Sequence, residues 1–258
     1  MNLGAILALT IGVLAVIVPQ IHNGINFQLL LQPAAFCIVI VGTACATILN
    51  FSFATVAVAF KSVSNIFNPP KNNSQKIIEE ITQIAYFARK NGLVALDGLL
   101  EKVSDPFLAR GLQLAIDINN PQLIYDILSA EISYEEEEDL IHSRVFEALG
   151  GYAPTFGIVG AVIGLIDVLK DLTTPENLGF GIATAFVATL YGVASANLIF
   201  LPIAGNLKQL TREKVLLKEI ILQGVISICI QENPVIMEEK LLAYLKYHHK
   251  GAQLNYAR

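Results

Sequence analysis

Very few side chains in this sequence could carry a reaction. Three cysteines and four histidines are spread along 258 residues. Cys37 and Cys45 share one apolar run and Cys229 lies in another, with no C-x-x-C pair. They read as small buried hydrophobes. His22, His142, His248 and His249 have no ligand spacing, so no metal site is expected. No G-x-S-x-G, no H-E-x-x-H and no phosphate-cradling glycine loop is present. Thr189 and Ser195 have no base beside them. The expected set of catalytic residues, metal ligands and cofactors is therefore none. An ionisable group inside an apolar run marks an ion path, because it costs about 2.5–3.5 kcal/mol at the centre of a membrane helix. Only Asp167 is a candidate, and it stands at the end of its run beside a loop, where it can reach the interface.

What the apolar runs do carry is small residues at helical spacing. One run has Gly150, Pro154, Gly157, Gly160, Ala161 and Gly164; another has Gly181, Ala185, Ala188, Gly192 and Ser195. Steps of three and four keep such residues on one face. Small faces let helices approach closely in lipid, where packing rather than hydrophobicity drives association. Two readings are open. The face is either a helix–helix contact within one hairpin, or the wall of a shared pathway that also meets a partner's helix. The isolated hydroxyl of Thr189, in the stretch AFVATLYGVASAN, favours the second. A threonine can also satisfy itself on its own backbone carbonyl, which keeps the first in play.

These faces need membrane helices to position them. Charged residues make up 15% of the chain, against about 25% in an ordinary soluble domain. Apolar residues make up 54%, and mean hydropathy is +0.57. The net charge of -5 gives no footprint for nucleic acid. Tryptophan is absent, so an interfacial belt rests on Tyr and Phe. Four segments are long enough to span a bilayer: Leu3 to Pro19, Ala34 to Phe53 with a possible run-on to Phe60, Tyr152 to Val168, and Phe180 to Ile203. No Lys or Arg precedes the first apolar core, which makes it a retained helix rather than a cleaved signal peptide. The spans form two hairpins with short connections. Of 17 Lys and Arg residues, only Lys170 lies in such a connection. The positive-inside rule then places the middle region, the tail and both termini in the cytoplasm.

The middle region reads as helices. Ser74 is a good N-cap for an amphipathic run, and Asn91-Gly92 marks a break. LVALDGLLEKV resumes the helical pattern. Asp105-Pro106 and Asn120-Pro121 each set a capping residue before a proline at the first helical position. EEEEDLIHSRVFEALGG leads into the third span, and Lys208 to Lys246 reads as an amphipathic helix broken near Pro234. The expected fold is an all-α membrane protein of four transmembrane helices in two hairpins, with a helical cytoplasmic domain between them and a helical C-terminal tail. The corresponding segments are 1–60 and 152–204 for the hairpins, 61–151 for the cytoplasmic domain and 205–258 for the tail.

YAPTFGIVGAVIGL followed by GIATAFVATLYGVASANLIFLPIAGNLK resembles the MotA family, the ion-channel subunit of the bacterial flagellar stator. The chain is more distantly similar to ExbB and TolQ. ARKNGLVALDGLL with FLARGLQLAID, and the two short hairpins around one cytoplasmic region, look like MotA rather than those relatives. The resemblance implies a homopentamer around a MotB-like partner, a single-span peptidoglycan-binding protein whose membrane helix carries the ion-binding aspartate. It implies that Thr189 faces that aspartate. Ala161, and by their small-residue spacing Ala185 and Gly192, are expected along the ion path or against the partner's helix, with Ala161 and Thr189 not taken to form a single site. Pro154 and Pro202 match two prolines tied to the conformational step. Arg89 and Asp97 match the pair that contacts the rotor protein FliG, with Asp where the best-known member has Glu. Sodium-using relatives tend to carry threonine at the place of Ala161; alanine favours protons, with sodium as the alternative. The implied function is a proton-conducting stator subunit of the flagellar motor in the bacterial inner membrane, against an ExbB/TolQ-like energiser of another envelope process or a scaffold without ion flow.

Overall fold

A computed structural model describes residues 10–11, 30–67, 74–118, 120–170 and 175–255. The first expected span, Leu3 to Pro19, lies outside them except for Thr10 and Ile11. The described chain is helical throughout, without a strand. Its elements are α1 (Pro33–Asn50), α2 (Phe53–Ser62), α3 (Ser64–Phe67), α4 (Ser74–Asn91), a 3-10 helix (Leu93–Lys102), α5 (Pro106–Ile118), α6 (Pro121–Lys170), α7 (Pro175–Ala194), α8 (Leu201–Cys229) and α9 (Pro234–Asn255). A π-helical segment, Cys37–Val41, interrupts α1, and another, Ser195–Phe200, joins α7 to α8. Three helical runs are long and apolar enough to cross a membrane: Pro33–Asn50, Pro121–Lys170 and Leu178–Cys229.

The chain packs as two compact units. One comprises Met1–Pro70 with Asp139–Leu210, the other Lys71–Glu138 with Thr211–Arg258. In the first, α1 stops at Asn50 because Phe51 turns extended, and the Ser52 hydroxyl accepts the Thr55 N–H to restart the chain as α2. The run-on to Phe60 is therefore a separate helix. Ala59, Ile66, Val145, Phe146, Leu149, Ala204 and Leu207 form one apolar cluster, with the rings of Phe60 and Phe146 5.1 Å apart. Lys208 pairs with Glu147 beside it. Cys37 and Cys45 are exposed on α1 and only Cys229 is buried. The reading of all three as core hydrophobes thus fails for two, since α1 turns its cysteines away from its packed face.

The second unit folds around the apolar stripe of α4. Ile77, Ile78, Ile81, Ile84, Ala85 and Ala88 recur at helical spacing and meet Leu108, Leu112, Ile124, Leu128, Ile220, Ile221, Val225, Met237 and Leu241. The two proline-started helices are capped as their sequence implies. The Asp105 carboxylate accepts the N–H groups of Phe107 and Leu108 at 2.8 and 3.0 Å, and the Asn120 carbonyl those of Gln122 and Leu123 at 3.1 and 3.3 Å. Gly92 has φ 86° and ψ 162°, a positive-φ conformation that glycine adopts without a Cβ clash, where α4 ends. The stretch after it is 3-10 rather than α-helical. Leu93, Leu96 and Leu99 recur in steps of three, which suits three residues per turn, and Leu96 is fully buried.

Glu135 binds Lys218 at 2.6 Å and Lys214 at 3.2 Å. The hydrogen bond from Lys218 leads in holding its carboxyl below the ordinary 4.5, against the opposing effect of burial. The lowered value means that this contribution to stability is complete above pH 4.5 and disappears as acid takes the solution through the folded-state value. Lys218→Ala should lower the apparent melting temperature at pH 7 by an amount corresponding to less than about 1 kcal/mol, and by less at pH 3. Melts of the full chain in detergent at the two pH values check this.

Candidate functional site: the α6/α7 wall

The small residues of α6 and α7 meet as an antiparallel ladder within the first unit. A Cβ at Gly157 would stand 3.0 Å from the Ala188 carbonyl oxygen and 3.3 Å from the Thr189 Cα. At Gly192 it would meet the Ala153 carbonyl oxygen at 2.5 Å and the Pro154 Cα at 3.1 Å. At Gly164 it would meet the Ala185 N at 2.9 Å and the Gly181 carbonyl oxygen at 3.0 Å. At Gly160 it would strike the Ala188 Cβ at 2.7 Å. Backbone thus lies on backbone along this seam, which only glycine and alanine permit.

The ladder brings some of the predicted site together. Gly192 lies against Pro154, and Thr189 against Gly157, so Pro154, Thr189 and Gly192 share one stretch of wall. Ala185 is 5% exposed on the α6 side of α7. Ala161 is half-buried, four residues beyond the Gly157–Thr189 rung, or about 6 Å along the axis. Pro202 is exposed, beside the rung where Gly150 meets Leu201. It lies ten residues, about 15 Å of helix rise, from Gly192, so the two prolines do not converge.

Thr189 is half-buried at the rim of the seam. Its hydroxyl donates to the Ala185 carbonyl at 3.3 Å. That is long for an O–H···O bond; the equivalent bond of Thr47 to the Thr43 carbonyl is 2.9 Å. The side chain does satisfy itself, but loosely. Beyond it α7 turns an apolar face outward, with Phe186 74%, Leu190 40% and Val193 46% exposed. Asp167 is exposed and pairs with Lys170 at 3.0 Å, so it is not aimed into this wall by any buried contact.

Both prolines sit inside helix. Each lacks the N–H that would donate to the carbonyl one turn back. Near Pro202 the backbone widens: the Leu201 N–H reaches back to the Ala196 carbonyl through the π segment. In the second unit, Arg89 lies in the last turn of α4 and Asp97 in the 3-10 helix. Both are exposed, and neither joins an ion pair among the described residues. They are therefore available to another protein.

The spacing argument overlooked Gln32, Thr184 and Tyr191. Gln32 is 3% exposed and Thr184 9%. Their side chains meet at 3.2 Å, and the Tyr191 hydroxyl donates to the Leu30 carbonyl. The available signal was a glutamine in front of a proline at the start of a span, with polar residues seven apart on α7.

Taken together, the described residues form an all-helical protein with three runs long and apolar enough to cross a membrane, two of which meet in a close-packed wall with a hydroxyl on its rim. The family model described as the MotA/TolQ/ExbB proton channel family matches residues 100–220. Motility protein A of Bacillus subtilis is 35% identical over 95% of this chain and 91% of its own length. The solved B. subtilis flagellar MotAB stator complex aligns with a TM-score of 0.85 at 32% identity, covering 98% of each chain. The C. jejuni MotAB structure aligns at 0.87 and 27% identity, covering 95% of this chain and 96% of that one. The chain belongs to the MotA/TolQ/ExbB proton channel family, on its motility protein A branch, and is a stator subunit of the flagellar motor.

Proposed function

We propose that this subunit conducts protons along the rim of the α6/α7 wall and turns that flow into torque. The observation that carries the reading is Thr189: a loosely held hydroxyl at the edge of a backbone-tight seam, beside the exposed apolar face of its own helix. The titrating carboxylate comes from a MotB-like single-span partner anchored to peptidoglycan, and five copies of the chain surround two of the partner. The four spans form two hairpins in the inner membrane with both termini cytoplasmic, as the Lys and Arg distribution supports. Protonating the partner's aspartate beside the wall removes a charge and changes which packing is preferred. Membrane potential supplies about 2.3 kcal/mol per charge per 100 mV. That shifts an equilibrium by more than a decade, enough for a modest helix rearrangement and too little to unfold a domain. Arg89 and Asp97 pass the motion to FliG by charge contacts. Alanine at position 161 offers no extra oxygen to replace a sodium hydration shell, and this supports protons.

Thr189→Val keeps the shape of the side chain and removes its hydroxyl. Tethered-cell rotation should fall below about a tenth of the parental speed, with the chain still present in membranes. Normal rotation in that variant would sink the ion-path role. Swimming speed should be flat against external sodium at fixed pH; a steep rise would transfer the reading to sodium.

A further inference from the structure

Two polar bonds hold the back of α7. The Thr184 hydroxyl has one proton to donate, shared between the side-chain oxygen of the buried Gln32 at 3.2 Å and the Phe180 carbonyl at 3.0 Å. Two turns further on, the Tyr191 hydroxyl donates to the Leu30 carbonyl. Phe36 meets the Tyr191 ring edge-on, with centroids 6.3 Å apart. Between the two bonds Ala35, Val39, Val187 and Ala188 form a dry cluster. Thr184, Val187, Ala188 and Tyr191 recur in steps of three, one and three, and so occupy one face of α7. Thr189 lies two residues from Tyr191, a rotation of about 200°. The clamped face and the Thr189 rim are therefore on opposite sides of the same helix.

The α6 seam resists slipping of α7 by its close backbone approach. On the α1 side, apolar contacts alone hold α7 weakly, because Val187 offers only a small branched knob. Hydrogen bonds are directional, and turning α7 would draw the Tyr191 hydroxyl off the Leu30 carbonyl and the Thr184 hydroxyl off the Gln32 side chain. We propose that Gln32 and Tyr191 are positioning residues for the ion path: they fix the rotation of α7 about its axis and so the direction in which Thr189 faces. The functional half of this inference rests on the ion-path reading above; the rotational half does not.

The test uses the full chain in lipid nanodiscs, with Cys37, Cys45 and Cys229 replaced by alanine. Single spin labels are attached through Phe186→Cys, Val187→Cys, Leu190→Cys or Val193→Cys. With the chain reconstituted without its MotB-like partner, oxygen accessibility should be higher at 186, 190 and 193 than at 187. In the Gln32→Leu/Tyr191→Phe background the contrast between 187 and 193 should fall at least twofold. Tyr191→Phe alone, which removes one oxygen atom and no volume, should produce part of the shift and guards against misfolding of the double variant. Thr184→Ser, which keeps the hydroxyl, should leave the pattern unchanged. Rotation speed in the double variant should fall several-fold. An unshifted accessibility pattern overturns the inference whatever the speed, and leaves the ion-path reading intact if Thr189→Val still stops rotation. A shifted pattern with normal rotation in Thr189→Val upholds the clamp and sinks the ion path instead.

Discussion

Gly192→Ala should stop swimming outright. One added carbon would lie 2.5 Å from the Ala153 carbonyl oxygen and 3.1 Å from the Pro154 Cα. Both obstacles are backbone, so no rotamer change relieves the clash. The helices must separate at this rung, where the approach is closer than the 2.9 and 3.0 Å backbone approaches at Gly164 and Gly157. Overpacking a well-fitted interior costs about 1–3 kcal/mol, and here the strain falls where Thr189 and Pro154 sit. Gly205→Ala is the matched control, because a Cβ there meets nothing within 4 Å and α8 gains a better helix former. Soft-agar expansion with immunoblots of the membrane fraction distinguishes the two. Full motility in Gly192→Ala would mean that the seam is looser than its geometry implies.

The second large effect is expected at the other end of the molecule's work. Arg89→Glu and Asp97→Lys each reverse an exposed charge that no partner within the described chain uses. Folding and membrane level should be unchanged, since neither side chain is packed. If these residues meet FliG, each reversal sets like charges against one another at several kcal/mol, and engagement drops by about two orders of magnitude or more. Asp97→Glu keeps the charge and lengthens the reach, so motility should survive it. Bead rotation assays, with immunoblots to confirm equal amounts of stator, report the difference. Rotor torque at the parental level in both reversals would remove the second unit from the contact.

Much of this was readable from residue type and spacing. Glycines every three or four positions announced a close helical seam, because only a missing side chain lets backbones touch. Asp105, Asn120, Pro106 and Pro121 announced helix starts through hydrogen bonding and a fixed φ. The limits were equally physical. Leu93, Leu96 and Leu99 fit a three-residue turn as well as an α-helical stripe, and tertiary burial of Leu96 decided between them. The exposure of Cys37 and Cys45 depends on which side of α1 meets its neighbours, which an apolar run does not encode. The Gln32–Thr184 bond joins positions 152 residues apart. No local pattern marks such a pair, and polar residues at a span's edge invite a reading as mere interface.

The glycine seam also limits how the machine can move. A helix pair packed through side chains can slip, since knobs pass over one another by changing rotamer. Where a carbonyl oxygen rests against a glycine, sliding by one residue drives a Cβ into backbone, and nothing in the track can step aside. α6 and α7 must therefore travel as a single lever, with no clutch between them. Any stroke has to be absorbed at softer joints: the widened turn before Pro202, the turns where the prolines lack an N–H, or contacts with other chains.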